Sequence, residues 1–525
     1  MTRKKNYFLI IPLITIPVII FLYFYRWKTN TAYGDDLLIF KYHASFKHWY
    51  EYFSMSLVEL KYRPVNGIVV NSVISIFQKH LLRYYILNVA VQSVNVCLLA
   101  VILNMFLRSV LLSVSVGLLY GISRFCYFNI NQLLNGGVLE GLAMTFFLLF
   151  LLTILKVLID TYTDDKRRYK ALLWSIFFAN MCMYTHERYM VLFPFLLLIT
   201  AFAPAMKTLN GKLRLSACVL IVFSVALNLG IKRLVFSLPY FVGTSMTVFS
   251  FSFPSAIGFT KDALLNMLQI NTGPDYLVGS TFESAPVYLK TAAILCCGIS
   301  LIVLGAYVVN AIRSNISKQG NKNESKGHLE VFILLAILAA FCLAPAVITI
   351  RLEQRWLQAS FSIFIVMLAI AFVKVPMNRR MKIISTACLV LLYVFTEYSY
   401  ISSGVMNTYM KGAEKTAGYF EDAIKNDVIK RNTRKLFIWE QHNDANNDRG
   451  MFWAIGQGYV LDFYQNNAKS VFFADTTYTY RTSDTVAALS LPVISKDSIQ
   501  IVYIKDGIID ITDQYLKDSL KNFQY

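Results

Sequence analysis

The sequence predicts an all-α polytopic membrane protein of about eleven transmembrane helices with a small C-terminal α/β domain. Three observations point there. Of 525 residues, 56% are hydrophobic and 15% charged, where soluble domains carry about 25% charge. Mean hydropathy is +0.51, and the apolar residues gather into runs near the roughly 20 residues that span a bilayer. The formal net charge of +19 is distributed unevenly: residues 403–525 hold 14 Lys and Arg against 15 Asp and Glu, leaving 36 against 16 in residues 1–402. The basic surplus therefore lies among the apolar segments, where loop sorting across a membrane explains it. No basic run with interleaved aromatics suggests a nucleic-acid partner.

In chain order the candidate spans are 7–25, 85–107, 109–123, 136–159, 171–185, 189–204, 215–231, 290–312, 329–350, 356–374 and 382–401. The first follows Arg3, Lys4 and Lys5, is long, and lacks a small-residue cleavage site, so it reads as a retained anchor. With the N-terminus in the cytoplasm, the inward loops carry Arg108, Lys166 to Lys170, Lys207, Lys212, Arg214, Arg313, Lys318, Lys322, Lys326, Lys374, Arg379, Arg380 and Lys382. Each is basic, as positive-inside sorting requires. That parity leaves two long outer loops, 26–84 and 239–289, and places 403–525 outside. The second loop, with Gly273-Pro274-Asp275, reads as a helical hairpin or capping loop, and Asp275, Glu283 and Lys290 read as solvated surface. In the tail, 435–441, 470–474 and 499–504 read as short strands, and 411–429 and 513–522 as helices. The domains are thus 1–402, membrane-embedded, and 403–525, soluble. The eight cysteines all precede residue 403 and show no ligand spacing, which argues against a disulfide framework or a structural zinc.

Ionisable residues at a membrane are costly and mark pathways or reaction sites. In this topology they collect on the outer side: Asp35 and Asp36, then Arg63, Glu140, His186-Glu187-Arg188, Lys232-Arg233, and Arg351, Glu353 and Arg355. A carboxylate at a membrane edge can take the proton of a hydroxyl nucleophile, and two acids can hold a divalent cation. Gly34-Asp35-Asp36 ahead of LLIFKY also reads as a plain helix start. The outward cations Arg63, Arg188, Lys232, Arg233, Arg351 and Arg355 suit phosphate oxygens. Snorkelling to headgroups, or pairing with Glu187 and Glu353, is the structural alternative. His43 and His48 are poor candidates as metal ligands.

The order of these residues resembles the GT-C superfamily of polytopic glycosyltransferases, including bacterial relatives of protein O-mannosyltransferases and lipid A aminoarabinose transferases. The resemblance covers roughly residues 1–400. It is carried by the acidic pair after the first helix, Tyr62-Arg63-Pro64, Tyr84 to Asn88, Asn131-Gln132 with Gly136-Gly137 and Glu140, Thr185 to Tyr189, and Glu353 to Trp356. It implies a GT-C-like fold and an inverting transfer of a sugar from a polyprenyl-phosphate carrier to an acceptor hydroxyl on the extracytoplasmic face, at a bacterial plasma membrane. Asp35 or Asp36 would be the base. Arg63, Arg188, Arg351 and Arg355, with Lys232 and Arg233, would bind the donor phosphate. Tyr62, Glu140, His186, Glu187 and Glu353 would orient these groups or contact the sugar. The acceptor would be a glycan, lipid or protein, and membrane lipids the surroundings. No cofactor is required by the pattern, while a divalent cation (Mg or Mn) on Asp35 and Asp36 stays open. The competing readings are a flippase or transporter of a lipid-linked or anionic glycan, a polysaccharide polymerase or ligase, and a non-catalytic scaffold displaying the tail.

Overall fold

The computed structural model describes residues 7–26, 31–48, 51, 53, 62–159, 165–207, 209–240, 252–273, 281–316, 322–349, 353–375, 377–402, 408–433, 435–439, 453–465, 470–473, 499–504 and 507–514. Its helices are α1 (Tyr7–Arg26), α2 (Asp35–Ser45), α3 (Pro64–Phe77), α4 (Leu81–Leu107), α5 (Val110–Gly121), α6 (Phe128–Asn131), α7 (Leu142–Ile159), α8 (Asp165–Thr185), α9 (Leu192–Phe202), α10 (Pro204–Lys207), α11 (Gly211–Gly230), α12 (Phe253–Met267), α13 (Val287–Ile316), α14 (Lys322–Thr349), α15 (Gln358–Lys374), α16 (Arg379–Ser402), α17 (Thr408–Lys425) and α18 (Tyr459–Gln465). The strands are β1 (Lys435–Trp439), β2 (Ser470–Phe473), β3 (Ile499–Ile504) and β4 (Ile508–Asp510). They belong to two compact units. One comprises Met1–Lys28, His48–Val73 and Arg83–Thr408; the other comprises Thr29–Lys47, Ile74–Leu82 and Tyr409–Tyr525.

The first unit is helical. Every expected span lies on a helix, and among the described residues seven are long and apolar enough to cross a bilayer by length and composition: Leu81–Leu107, Asn135–Ile159, Gly211–Val235, Val287–Arg313, Leu329–Ile348, Gln354–Lys374 and Arg380–Tyr400. Three shorter apolar helices, Ile10–Phe21, Pro64–Phe77 and Val110–Gly121, add to them. Among the described residues, full-length apolar helices therefore account for seven of the eleven expected crossings. Helix α8 opens with Asp165-Lys166-Arg167-Arg168, which shortens its apolar part. Helix α9 stops at Phe202 after 11 residues, because Ala203 precedes Pro204 and is pushed to an extended conformation (ψ 132). A further difference lies in loop 26–84, which holds the apolar helix α3 and ends at Leu81, where α4 begins.

Helix α15 is the central element, with 83% of its apolar window buried. Helices α7 and α8 pack along each other, as do α14 and α15, α13 and α16, and α9 and α11. Ile11, Ala100 and Val114 join α1, α4 and α5. By contrast, α11 presents Leu215, Val219, Val222 and Phe223 outward, and α13 presents Leu301 and Ile302. In water such faces would be a liability; in lipid they are the expected surface. In the second loop, α12 is followed by a return whose Phe282 N–H donates to the Asn271 carbonyl at 2.7 Å. Glu283 is exposed, and Asp275 lies outside the described residues.

The second unit holds a four-stranded sheet of order β2-β1-β3-β4. Strands β2, β1 and β3 run parallel, and β4 is antiparallel to β3. Leu436, Phe437, Ile438, Ile501 and Val502 are buried, as central strands covered on both faces require. Gln500 is the buried polar exception. Its side chain accepts from Lys430 N–H at 3.0 Å and from the Thr433 hydroxyl at 3.2 Å, tying the α17–β1 connection to β3. The expected strands are present; β4 and α18 were not anticipated, being too short to show a period. Of the expected helix 513–522, residues beyond Asp513 and its neighbour lie outside the described residues.

Candidate active site

Glu140 sits on a π-helical turn, Asn135–Gly141, that opens the apolar segment continued by α7. Such a turn releases backbone carbonyls from their usual partners, and in an apolar setting these must be satisfied from elsewhere. Helix α4 supplies the donors. Asn88 Nδ2 donates to the carbonyls of Gln132 (2.9 Å) and Leu133 (3.1 Å), and Asn95 Nδ2 donates to that of Gly141 (2.9 Å). The Thr145 hydroxyl in turn donates to Asn95 Oδ1 at 2.7 Å. Close packing explains the glycine pair: a Cβ on Gly136 would lie 2.3 Å from the Phe128 carbonyl oxygen, and one on Gly137 1.8 Å from Asn88 Oδ1.

The Thr185–Tyr189 motif joins α8 to a 3₁₀ turn, Glu187–Val191. His186 adopts an extended conformation (φ −146, ψ 116) and caps that turn, its Nδ1 accepting from Arg188 N–H at 3.4 Å. The proton of the neutral ring is therefore on Nε2, which faces Glu140 Oε1 at 3.6 Å. Burial, reinforced by the Arg63 guanidinium, pulls His186 down to about 4, so the imidazole is uncharged at neutral pH.

Around this histidine the first unit assembles a connected set of charges. Arg63 is buried and forks Glu187, with Nη2 at 2.8 Å from Oε1 and Nε on Oε2. Arg188 donates to Glu140 through Nη2 and, at 3.4 Å, Nη1. Arg355 donates to Glu353, and its guanidinium lies 4.1 Å over the Phe128 ring. It is close enough to Glu140 to act on that carboxylate electrostatically, and Lys232 likewise feels both Glu187 and Arg63. Lys232 Nζ donates to the Tyr240 carbonyl at 3.0 Å. Tyr62 packs against Phe236 (5.3 Å) and edge-on to Tyr184 (6.1 Å). Arg233 is exposed, 5.9 Å over Tyr240, and is not part of the set. Arg351 lies outside the described residues. Among the described residues each arginine of the set has a carboxylate partner. With Lys232, the described residues of the set are four cations and three carboxylates, a net charge of +1.

Asp35 and Asp36 belong to the second unit. They form the first turn of α2, after Gly34 at φ 56, so the helix-start reading describes their backbone, and acids suit that end of the dipole. Their side chains differ. Asp36 is fully buried, whereas Asp35 is partly exposed and accepts a hydrogen bond from Trp453 Nε1 at 2.7 Å. Neighbouring residues on a helix project in different directions. With one Asp35 oxygen on an indole, the pair by itself does not make the multi-oxygen cage that Mg or Mn takes. Among the described residues no group of three or more His, Cys, Asp or Glu converges on one point.

The sequence reading missed Trp453. The run Trp453-Ala454-Ile455-Gly456-Gln457-Gly458 holds two glycines at positive φ, the one signal of a tight turn there. It also missed a second buried charge pair. Arg124 donates to Glu397 from its backbone N–H (2.9 Å) and Nη1 (2.8 Å), and Nη2 donates to the Asn266 carbonyl at 2.8 Å. Gln269 Nε2 completes the network on Glu397 at 2.8 Å. This pair fastens the end of α12 to α16.

No family model and no curated protein matches the chain. Among solved structures the chain is similar to ArnT from Cupriavidus metallidurans bound to undecaprenyl phosphate, at 10% identity and a TM-score of 0.32, over 97% of this chain and 94% of that one. At that score the two folds are not equated.

Proposed function

We propose that the chain is an integral-membrane glycosyltransferase that moves a sugar from a polyprenyl-phosphate carrier to an acceptor hydroxyl on the extracytoplasmic face of a bacterial plasma membrane. The observation that supports this reading best is the Arg63–Glu187–His186–Glu140–Arg188 network with Arg355 and Lys232, at helix ends of a lipid-facing bundle. A sugar phosphodiester carries one negative charge, which complements the net +1 of this set. As the glycosidic bond breaks, charge builds on the leaving phosphate, and preorganised guanidinium groups stabilise it most at that moment. A surface that only anchored headgroups would not require a buried, neutral histidine set between two carboxylates.

In the transfer, the acceptor oxygen forms a bond to the anomeric carbon and gives its proton to an aspartate of the Asp35–Asp36 pair. The bond from the anomeric carbon to phosphate oxygen breaks, and its electron pair leaves with the polyprenyl phosphate. One displacement of this kind inverts the anomeric centre. Glu187 and Glu353 orient the arginines, while Tyr62 and Glu140 suit contact with sugar hydroxyls. The acceptor class is a glycan, a lipid or a protein.

The test is transfer from radiolabelled synthetic polyprenyl-phosphate hexoses in proteoliposomes supplied with acceptors from the producing cell's membranes. Label is expected to reach the acceptor with release of polyprenyl phosphate, and the product anomer is expected to be inverted. Movement of the labelled carrier across the bilayer without transfer would replace this reading by that of a flippase.

A further inference from the structure

We propose that Trp453 is the positioning residue of Asp35, and that Asp35 rather than Asp36 is the general base. This deepens the transferase reading and rests on it. Exposure separates the two acids. Asp36 is 0% exposed and Asp35 partly exposed, and a base must come within hydrogen-bond reach of the acceptor's proton. The buried carboxylate cannot be approached by a glycan, lipid or protein hydroxyl.

Asp35 is also held in place from the far end of the chain. Trp453 Nε1 donates to its Oδ1 at 2.7 Å, from a position 418 residues along the chain. Indole is a donor only, so it stabilises the charged carboxylate and fixes its direction without competing for the proton.

The indole has no freedom to drift. Gly34 N–H donates to the Ala454 carbonyl at 2.9 Å, and Tyr33 meets the Trp453 ring edge-on at 6.2 Å. A Cβ on Gly34 would lie 2.4 Å from Trp453 Cζ2, and one on Gly456 2.4 Å from Leu37 Cβ. Phe40 against Phe463, at 4.8 Å, extends the same contact. Turn 453–458 and segment 33–40 thus fit without slack, and the geometry of one hydrogen bond is set by four other contacts. The C-terminal stretch, whose role the sequence does not reveal, is on this account the part that aims the base.

Truncating Trp453 to alanine would open a hole against Gly34 and confound the result, so the test keeps the ring. Benzothienylalanine placed at position 453 has the shape of tryptophan with sulfur in place of N–H, and Trp453→Phe is the encoded counterpart. With the radiolabelled polyprenyl-phosphate hexoses above, both are expected to lower kcat by roughly tenfold to a hundredfold while KM for the carrier and the thermal unfolding curve stay at wild-type values. Asp35→Asn is expected to abolish transfer. Wild-type kcat in the benzothienyl variant, with Asp35→Asn inactive, would overturn the positioning role and leave the transferase reading standing. Full activity of Asp35→Asn with Asp36→Asn inactive would overturn the choice of base. Carrier movement without transfer in the wild type would overturn both readings together.

Discussion

Replacing Arg63 and Glu187 singly and together separates a phosphate site from a purely structural ion pair. Arg63→Gln takes the charge set from +1 to neutral, Glu187→Gln takes it to +2, and the double variant returns it to +1. One unit of charge at roughly 6 Å, with an effective dielectric near 20, interacts with a phosphate anion by about 3 kcal/mol. The Glu187 side chain is 25% exposed against 9% for Arg63, so solvent trims this to about 1.4 kcal/mol, a tenfold change in Kd. Binding of a tritiated polyprenyl phosphate to the detergent-purified protein is the assay, with thermal unfolding run alongside. Arg63→Gln is expected to weaken binding about tenfold, Glu187→Gln to hold or tighten it, and the double variant to bind near wild type. Equal weakening by both single variants, with no recovery in the double, would refute the charge argument and leave Arg63–Glu187 as a packing element.

Three further outcomes are expected. Because His186 is held at about 4 rather than 6.5 in the fold, the unfolded chain takes up a proton that the folded chain refuses as pH falls between those values. Stability should be constant above about pH 6.5 and drop by on the order of 3 kcal/mol on approaching pH 4; thermal unfolding of His186→Asn should lack that component while keeping a cap for the turn. Gly34→Ala forces an L side chain to φ 56 against Trp453, about 1–3 kcal/mol of strain, and should speed limited proteolysis of residues 409–525. Glu397→Gln strands Arg124, whose side chain is 2% exposed, without its counter-charge, and should lower stability by about 3–5 kcal/mol in detergent unfolding.

The apolar runs were legible because hydropathy is a property of composition, so the boundaries of the seven full-length segments fall within four residues of where it places them. Helix α9 shows the limit: its run reads as a span until Ala203 and Pro204 cut it at Phe202. In the tail, the short runs KLFIW and IQIVYI, rich in β-branched and aromatic residues, marked β1 and β3, whereas three-residue β4 and seven-residue α18 are too short to read. At the site, Thr185 to Tyr189 was visible as a polar break between apolar stretches. Its pairing was not: Glu187 engages Arg63, 124 residues away, and Glu140 rather than Glu187 takes the neighbouring Arg188.

The sequence by itself determined which segments are apolar enough to enter a membrane and which charged residues stand apart from loop sorting, because hydropathy and charge are summed locally along the chain. Tertiary structure alone decided which carboxylate meets which guanidinium, why the π-turn under Glu140 is tolerated, and that an indole from the far end of the chain holds Asp35 and not Asp36. Those outcomes depend on distances of a few ångströms between segments tens to hundreds of residues apart. Composition does not encode such distances. Packing does, since a hydrogen bond at 2.7 Å and a missing Cβ at 2.4 Å are specified only once the backbones have met.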